Sequence, residues 1–434
     1  MSKLRVLALA SDANPNNLAT SLVGYSHAAA LARQHTVTMV VRRENERAVR
    51  SAGAPFHRIE GIRVPGFDEF YAWALRRVFK YDYGSHVLTA FNYPFSVAFE
   101  WCAWRRLRRR ILDREFDVVI RLLPVTSVLP GAFAFFSRKS STPFVVGPIN
   151  GGLPWPPGFI QAERQKEWIT GLRNVYQVLP FSRSMYRHAT AIIAGSSQTF
   201  AEFELYREKL FFVPENGIDC SQLRAVPRRL RNGPLRLIFV GRLVPYKACD
   251  LAVRGAAPLL RQGRAHLTIA GDGPDRLALE ELTRSLGIES SVHFAGWLTH
   301  AQVLEQLQTA DILVFPSIRE FGGGVVFEAL AAGVVPVVAA FGGPGDIVTP
   351  TVGYSVPLTS PDDMVLQIQR ILSDLDGDDA RLRQLGEEGV HYAREQLTWE
   401  GKAQTVSRVL AWAAGRGTKP DLPPPSRGRK AVAQ

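Results

Sequence analysis

Cysteine is scarce in this chain of 434 residues: three, at Cys102, Cys220 and Cys249, with no spacing that suits a metal or a redox pair. A disulfide framework is thereby excluded and a reducing compartment expected. Long apolar runs are missing too. The longest stretch without a charged side chain, 140–162, holds five prolines and four glycines, so it cannot form the ~20-residue helix a bilayer demands. The opening LRVLALA is too short and wrongly flanked for a signal peptide and is expected to be a first buried strand, Leu4 to Ala10. Acidic residues are fewer than basic ones, 40 against 52, and the shortfall lies in one half. Residues 1–218 carry 28 Lys and Arg against 17 Asp and Glu, while residues 219–434 carry 24 against 23. A basic first half suggests an anionic partner, either a membrane surface or a nucleic acid.

What is present has the balance of a soluble globular protein, 46% apolar and 21% charged. The length exceeds one ordinary core, so two domains of about 200 residues are expected. Apolar runs alternate with helical patterns. In the first half strands are expected near Leu4–Ala10, Thr36–Val41, Asp117–Leu122, Phe144–Ile149 and Ala191–Ala194, with a helix at Leu22–Gln34. In the second, strands near Leu235–Val240, His266–Ala270, Val292–Ala295, Ile312–Phe315 and Val335–Ala339 alternate with helices near Ala248–Gln262, Arg276–Leu286, Ala301–Thr309 and Val325–Ala332. Such alternation predicts α/β architecture, two doubly wound domains built on parallel sheets covered on both faces. The boundaries read as a first domain over 1–218, a polar, proline-containing linker over 219–234 and a second domain over 235–397. A helix over 398–414 follows, and then a disordered tail over 415–434 that contains PPP and RGRK.

The stretch IREFGGGVVFEALAAG, Ile318 to Gly333, places Glu320 just past a buried strand, then three glycines, then a helix with Glu328 one turn inside. Ligands of doubly wound folds bind outside the carboxyl ends of strands. Glycines let a ligand approach the backbone, and the first N–H groups of the helix form an anion site. Carboxylates on either side would accept hydrogen bonds from hydroxyls. A ligand with an anionic middle and hydroxyl-rich ends, such as a sugar nucleotide, fits that layout. The plainer alternative is a glycine-rich turn with an exposed glutamate and an ordinary helical one. Arg242 and Lys247 in FVGRLVPYK, after the strand ending near Val240, would sit at the same sheet edge. They could neutralise a diphosphate, or simply be solvated. AGDGP, from Ala270 to Pro274, is a further glycine-bearing strand end.

FVGRLVPYKACDL, LTIAGDGP, VHFAGW, ADILVFPSIREFGGGVVFEALAAGVVPVVA and PENGID together resemble the retaining glycosyltransferases of family 4, which have the GT-B fold. The two glutamates match that family's E-x7-E signature. The resemblance implies two Rossmann-type domains facing a cleft, a C-terminal helix crossing back to the first, and sugar transfer from a nucleotide diphosphate donor with retained anomeric configuration. It implies that Arg242 and Lys247 bind and stabilise the leaving diphosphate, and that Glu320 holds sugar hydroxyls and Glu328 the ribose. Gly241, Gly271 and the backbone of Gly322, Gly323, Gly324 and Val325 would contact the donor. Front-face attack, without a covalent glutamyl intermediate and without a metal or other cofactor, is expected. The first half resembles the family mainly in layout: the loop SDANPNNLATSLVGY has only Gly24 where a glycine pair is usual, whereas VGPINGG looks like a glycine loop of some bacterial members. Strand-end positions suggest Arg121, Asn150, Gly151 and Gly152 as acceptor-side residues. A non-catalytic binding relative and a sugar-nucleotide epimerase on the same fold remain as alternatives.

Aromatic and basic residues mix in EFYAWALRRVFKYDYG, Glu69 to Gly84, and in AFEWCAWRRLRRRIL, Ala98 to Leu112. The second reads as a helix with Trp101, Trp104, Ile111 and Leu112 on one face, Arg106, Arg109 and Arg110 opposite, and Arg108 intruding on the apolar face. That pattern suits the inner face of a cytoplasmic membrane and a lipid-linked acceptor. It equally suits a core-packed helix with a solvated basic face. No nucleic-acid module is present, so no nucleic-acid partner is expected.

Overall fold

The computed structural model describes residues 3–17, 20–66, 77, 86–126, 129–150, 159, 179–219 and 233–425. Gly151, Gly152, most of the aromatic and basic stretch 69–84 and most of the expected linker lie outside them. The chain divides into two compact units. Among the described residues, the first takes in 3–150, 179–215 and 399–425, and the second takes in 159 and 216–398. The chain therefore passes between units at Glu215–Asn216, three residues before the expected boundary, and returns at Thr398–Trp399.

In the first unit the strands are β1 (Arg5–Ala10), β2 (Thr36–Arg42), β3 (Arg58–Ile62), β4 (Val118–Leu123), β5 (Phe144–Ile149), β6 (Ala191–Ala194) and β7 (Leu210–Phe212). They form a parallel sheet in the order β3-β2-β1-β4-β5-β6-β7. The helices are α1 (Thr20–Gln34), α2 (Arg43–Ser51), α3 (His86–Leu112), α4 (Phe133–Ser137), α5 (Ser182–His188) and α6 (Ser197–Glu202). The second unit holds β8 (Leu235–Val240), β9 (Ala265–Ala270), β10 (Val292–Gly296), β11 (Ile312–Phe315), β12 (Val335–Ala339) and β13 (Tyr354–Val356). These are again all parallel, in the order β10-β9-β8-β11-β12-β13. Its helices are α7 (Cys249–Arg261), α8 (Arg276–Ser285), α9 (His300–Thr309), α10 (Gly324–Ala331), α11 (Gly342–Ile347), α12 (Pro361–Asp376) and α13 (Asp379–Gln396). The last helix, α14 (Trp399–Ala413), belongs to the first unit.

The strands are apolar throughout because both sheet faces are covered. Along β1, Val6, Ala8 and Ala10 join a core layer with Leu31 of α1 and Val406 and Leu410 of α14. Leu7 and Leu9 join the opposite layer, with Phe99, Leu107 and Ile111 of α3. Alternating side chains thus feed two cores from one strand. α14 is fixed to α1 and the residue after it by Ser407, whose hydroxyl donates to Gln34 Oε1 at 3.0 Å and lies 2.7 Å from His35 Nε2.

Several expectations need correction. The buried stripe of α3 is Phe99, Ala103, Leu107 and Ile111, spaced four apart. Ile111 and the half-buried Trp104, whose ring lies 5.8 Å from that of Phe133, face inward as expected. Trp101 and Leu112 instead stand on the exposed side, with Arg108. Residues 415–425 are not a free tail. The Leu422 carbonyl accepts from Phe212 N at 2.8 Å, on the outer edge of β7, and Arg416 bonds Asp117, just before β4, at 2.7 Å. In the acidic run Asp374–Asp379, Asp376 is buried against Arg264 and Asp378 caps α13.

Candidate functional site

In the second sheet β8 lies between β9 and β11, and the order of connection reverses there. A crevice at the carboxyl ends of two such strands is the topological switch point at which doubly wound sheets bind ligands. β8 delivers the loop of Arg242 and Lys247, and β11 delivers Ser317 and Glu320. The Lys247 ammonium forms an ion pair with Glu320 Oε2, and both side chains are largely withdrawn from solvent, 16% and 15% exposed. Lys247 Nζ also lies 5.0 Å from the centroid of the Phe315 ring. The other carboxylate oxygen of Glu320 accepts from Gly323 N at 3.2 Å. Ser317 and Ile318 donate to the Tyr246 carbonyl at 3.2 and 3.0 Å, tying the two loops together. Lys247 and Glu320, 73 positions apart, therefore share one place. Arg242 is exposed, on the same β8 loop.

The glycines divide by role. Gly323 caps α10 at φ +60°, and a Cβ there would stand 2.6 Å from Pro344 Cγ. Only glycine fits that left-handed turn comfortably. Gly324 is exposed, with Asn216 Nδ2 of the PENGID segment the nearest group to a built Cβ, at 3.6 Å. The opening N–H groups of α10 lack partners within the helix and carry its positive dipole end. Gly271, expected at a donor, also has a packing role: a Cβ would lie 1.9 Å from the Gly241 carbonyl oxygen. It lets the loops after β8 and β9 touch backbone to backbone. A Cβ at Gly241 would meet the Phe315, Lys247 and Phe239 side chains, at 3.7, 3.8 and 3.8 Å, so its bare backbone borders the lysine.

Glu328 sits one turn inside α10 and is not unattended. His300 Nε2 lies 2.8 Å from Glu328 Oε1. That hydrogen bond raises the imidazole above its ordinary range, against the opposing effect of burial. His300 opens α9, whose cap Thr299 accepts from Gln302 N and is reciprocated by the Gln302 side chain. The sequence reading passed over His300. The signal was there, since T-H-A-Q is a capping box that fixes a helix start after β10, at the same sheet edge as Glu320 and Glu328.

Of the first-unit residues read as acceptor contacts, Arg121 and Asn150 are internal; Gly151 and Gly152 lie outside the described residues. Arg121 is 1% exposed. It bonds Glu100 Oε1 at 2.7 Å and donates to the Pro124 and Leu129 carbonyls at 3.2 and 2.9 Å. Glu100 Oε2 accepts from Phe133 N at 2.7 Å. The guanidinium is consumed in holding the segment after β4. Asn150 is likewise 1% exposed. Its amide donates to Glu215 at 2.7 Å and its carbonyl accepts from the Ser196 and Thr199 hydroxyls at 3.0 and 3.2 Å. Gly24 lies inside α1, where a Cβ would stand 2.4 Å from Leu123 Cδ1.

Residues 225–389, which contain every second-unit residue just described except Asn216, match the family of glycosyl transferases group 1. That matched stretch falls within the second unit. Glycogen synthase from Mycobacterium tuberculosis is 33% identical over 273 residues, 61% of this chain and 63% of that protein. D-inositol 3-phosphate glycosyltransferase from Corynebacterium aurimucosum is 31% identical over 183 residues, 40% of this chain and 42% of that one. The chain spans less than two thirds of the length of either relative. The crystal structure of Anabaena HepE in complex with UDP superposes with a TM-score of 0.63 at 14% identity, covering 94% of this chain and 100% of that chain. The likeness at that identity shows the fold, which is GT-B: two parallel-sheet, Rossmann-type domains.

Proposed function

We propose that this protein is a retaining glycosyltransferase of the family 4 type. It would move a sugar, a hexose-type residue, from a nucleoside diphosphate donor to a hydroxyl of a glycan or lipid-linked acceptor in bacterial polysaccharide or glycolipid assembly. The observation that carries the reading is the Lys247–Glu320 pair at the switch point, next to the bare start of α10. The group 1 match over this unit supports it, as do relatives named for glycosyl transfer and the UDP held by HepE.

In this mechanism the diphosphate lies between Lys247, Arg242 and the amides at the start of α10. Breaking the bond from C1 to the phosphate oxygen builds negative charge on that oxygen. A cation and helix amides already in place stabilise this charge more in the transition state than in the ground state. The acceptor oxygen forms its bond to C1 on the same face, and its proton passes to the departing phosphate. Glu320 does not act as nucleophile. Its two oxygens are held by Lys247 and Gly323 N, so it is oriented to accept hydrogen bonds from sugar hydroxyls. Glu328, oriented by His300, accepts from the ribose. No metal is assigned a step, and transfer should continue in a chelator.

The test is a thermal-shift screen of nucleoside diphosphate sugars, followed by product analysis. A true donor stabilises the folded state by mass action, and it should then be consumed only when an acceptor is supplied. Binding without turnover would favour a non-catalytic relative, and an isomerised donor formed without acceptor would favour an epimerase. The absence of binding by any donor would overturn the proposal.

A further inference from the structure

The exposed side of α3 carries a pattern that sugar transfer does not use. Trp101, Arg105, Arg108 and Leu112 follow one another at helical spacing along one stripe, with Arg109 beside them, and all are exposed. Trp101 is 44% and Leu112 53% exposed, so two apolar side chains flank the cations. The stripe is about 16 Å long at 1.5 Å per residue. Arg106 and Arg110, on the adjoining flank, are engaged by Glu60 at 3.1 and 3.0 Å. Arg105, Arg108 and Arg109 have no acidic partner among the described residues.

At the tryptophan end the apolar surface continues onto other elements. The Trp101 ring lies 4.9 Å from that of Phe136, which lies 5.8 Å from Phe181. Phe181 has φ +69°, a left-handed conformation costly for a bulky residue. It holds the aromatic group at the head of α5. Arg138 sits over the Phe135 ring at 3.8 Å, and Lys139 beside it is exposed. Aromatic rings at one end, unpaired guanidinium groups along the stripe and a leucine at the other end have the composition of an interfacial surface. Rings and leucine enter the headgroup layer while the arginines meet lipid phosphates.

We infer that this face of the first unit docks on an anionic lipid bilayer. Charge selects the partner: three unpaired arginines without an intervening carboxylate match a surface of anionic headgroups. The exposed tryptophan and leucine distinguish it from a merely polyanion-binding face. No helix among the described residues is long and apolar enough to cross a membrane, so docking would be peripheral. The inference does not depend on the donor chemistry of the second unit.

The test is co-sedimentation of the full chain with vesicles of phosphatidylcholine alone or mixed with phosphatidylglycerol. Binding to the mixed vesicles at about 0.1 M salt is expected, with little to phosphatidylcholine alone and a steep loss by about 0.5 M. Each arginine near such a surface is worth about fivefold, so R105E/R108E/R109E should weaken binding by about 100-fold or more. The lysine counterpart R105K/R108K/R109K should retain it. Trp101→Ala should lower binding several-fold while leaving the salt dependence in place. Thermal unfolding and nucleotide-sugar binding should be unchanged in all these variants, which separates failure here from failure of the glycosyltransferase reading. Wild-type protein that ignores anionic vesicles, or a charge-reversed triple variant that still binds them, would overturn the inference. So would equal binding to a soluble polyanion such as heparin with no effect of Trp101→Ala.

Discussion

Replacing Arg121 by methionine tests whether this residue is architecture or an acceptor contact. In the native unit its guanidinium neutralises Glu100 and donates to two carbonyls. Once it is gone, Glu100 remains 3% exposed in the present packing, with the Phe133 amide as a donor and no cation beside it. Breaking a buried pair from one side costs about 3–5 kcal/mol, because the remaining charge has lost its compensation. For a unit of this size each kcal/mol lowers the melting temperature by roughly 2–4 °C. The first unit's transition should therefore fall by about 6–20 °C. Calorimetry is the suitable assay, since two units need not melt as one. The double variant Arg121→Met/Glu100→Leu should regain most of the loss, because an apolar pair of similar volume replaces both charges. Donor binding should be unaffected, since every contact named for Arg121 lies in the first unit. If Arg121→Met left the transition unmoved and instead abolished saturation by acceptor, the structural account would be refuted.

Lys247→Ala should lower kcat by about 2–4 kcal/mol, on the order of 30- to 1,000-fold, with a smaller change in donor KM; an unchanged kcat would remove lysine from the proposed mechanism. Gly271→Ala forces a Cβ into the Gly241 carbonyl, so both melting temperature and donor affinity should drop, as thermal shift with and without donor would show. His300 has a raised pKa, so its charged pair with Glu328 is complete below the ordinary imidazole range and lost as pH rises through the folded value. Donor affinity should weaken over that rise in the wild type, and a titration of His300→Gln should be flatter. Burial lowers Lys402, which donates to the Glu215 carbonyl, to about 7 from an ordinary 10.5, although the nearby Glu215 carboxylate opposes the shift. The unfolded chain then binds more protons between those values, so first-unit stability should rise with pH from about 7 toward 10. Denaturation midpoints of Lys402→Met should lack that rise.

The second unit was legible because its chemistry is local. Strand, glycine turn and helix fall within IREFGGGVVFEALAAG, and the alternation of elements assigns all of them to one sheet edge. The strands missed, β3, β7 and β13, had weak signals for physical reasons. β3 contains Glu60, buried only because Arg58, Arg106 and Arg110 surround it, and the other two are three residues long. First-unit polar residues misled because their partners are distant in the chain. Arg121 and Glu100 are separated by 21 positions, and Asn150 and Glu215 by 65. A polar residue at a strand end looks alike whether it faces a ligand or a partner far off in the chain. The periodicity of α3 failed for a related reason: Trp and Leu scored as apolar, while the small Ala103 marked the true inward face.

The pairing of charges also bears on selectivity. Glu320 rests against Lys247, and Glu328 against His300, so each carboxylate has a cationic or potentially cationic partner. A simple anion must draw lysine from its carboxylate and leave that carboxylate uncompensated in a poorly solvated place, which costs free energy. A ligand that brings phosphate to the ammonium and hydroxyls to the carboxylates satisfies both partners together. Under the proposed function, the two pairs would favour a molecule charged at its centre and hydroxylated at both ends over phosphate or pyrophosphate alone. Specificity here comes as much from the groups a wrong ligand would leave unsatisfied as from the contacts a correct one makes.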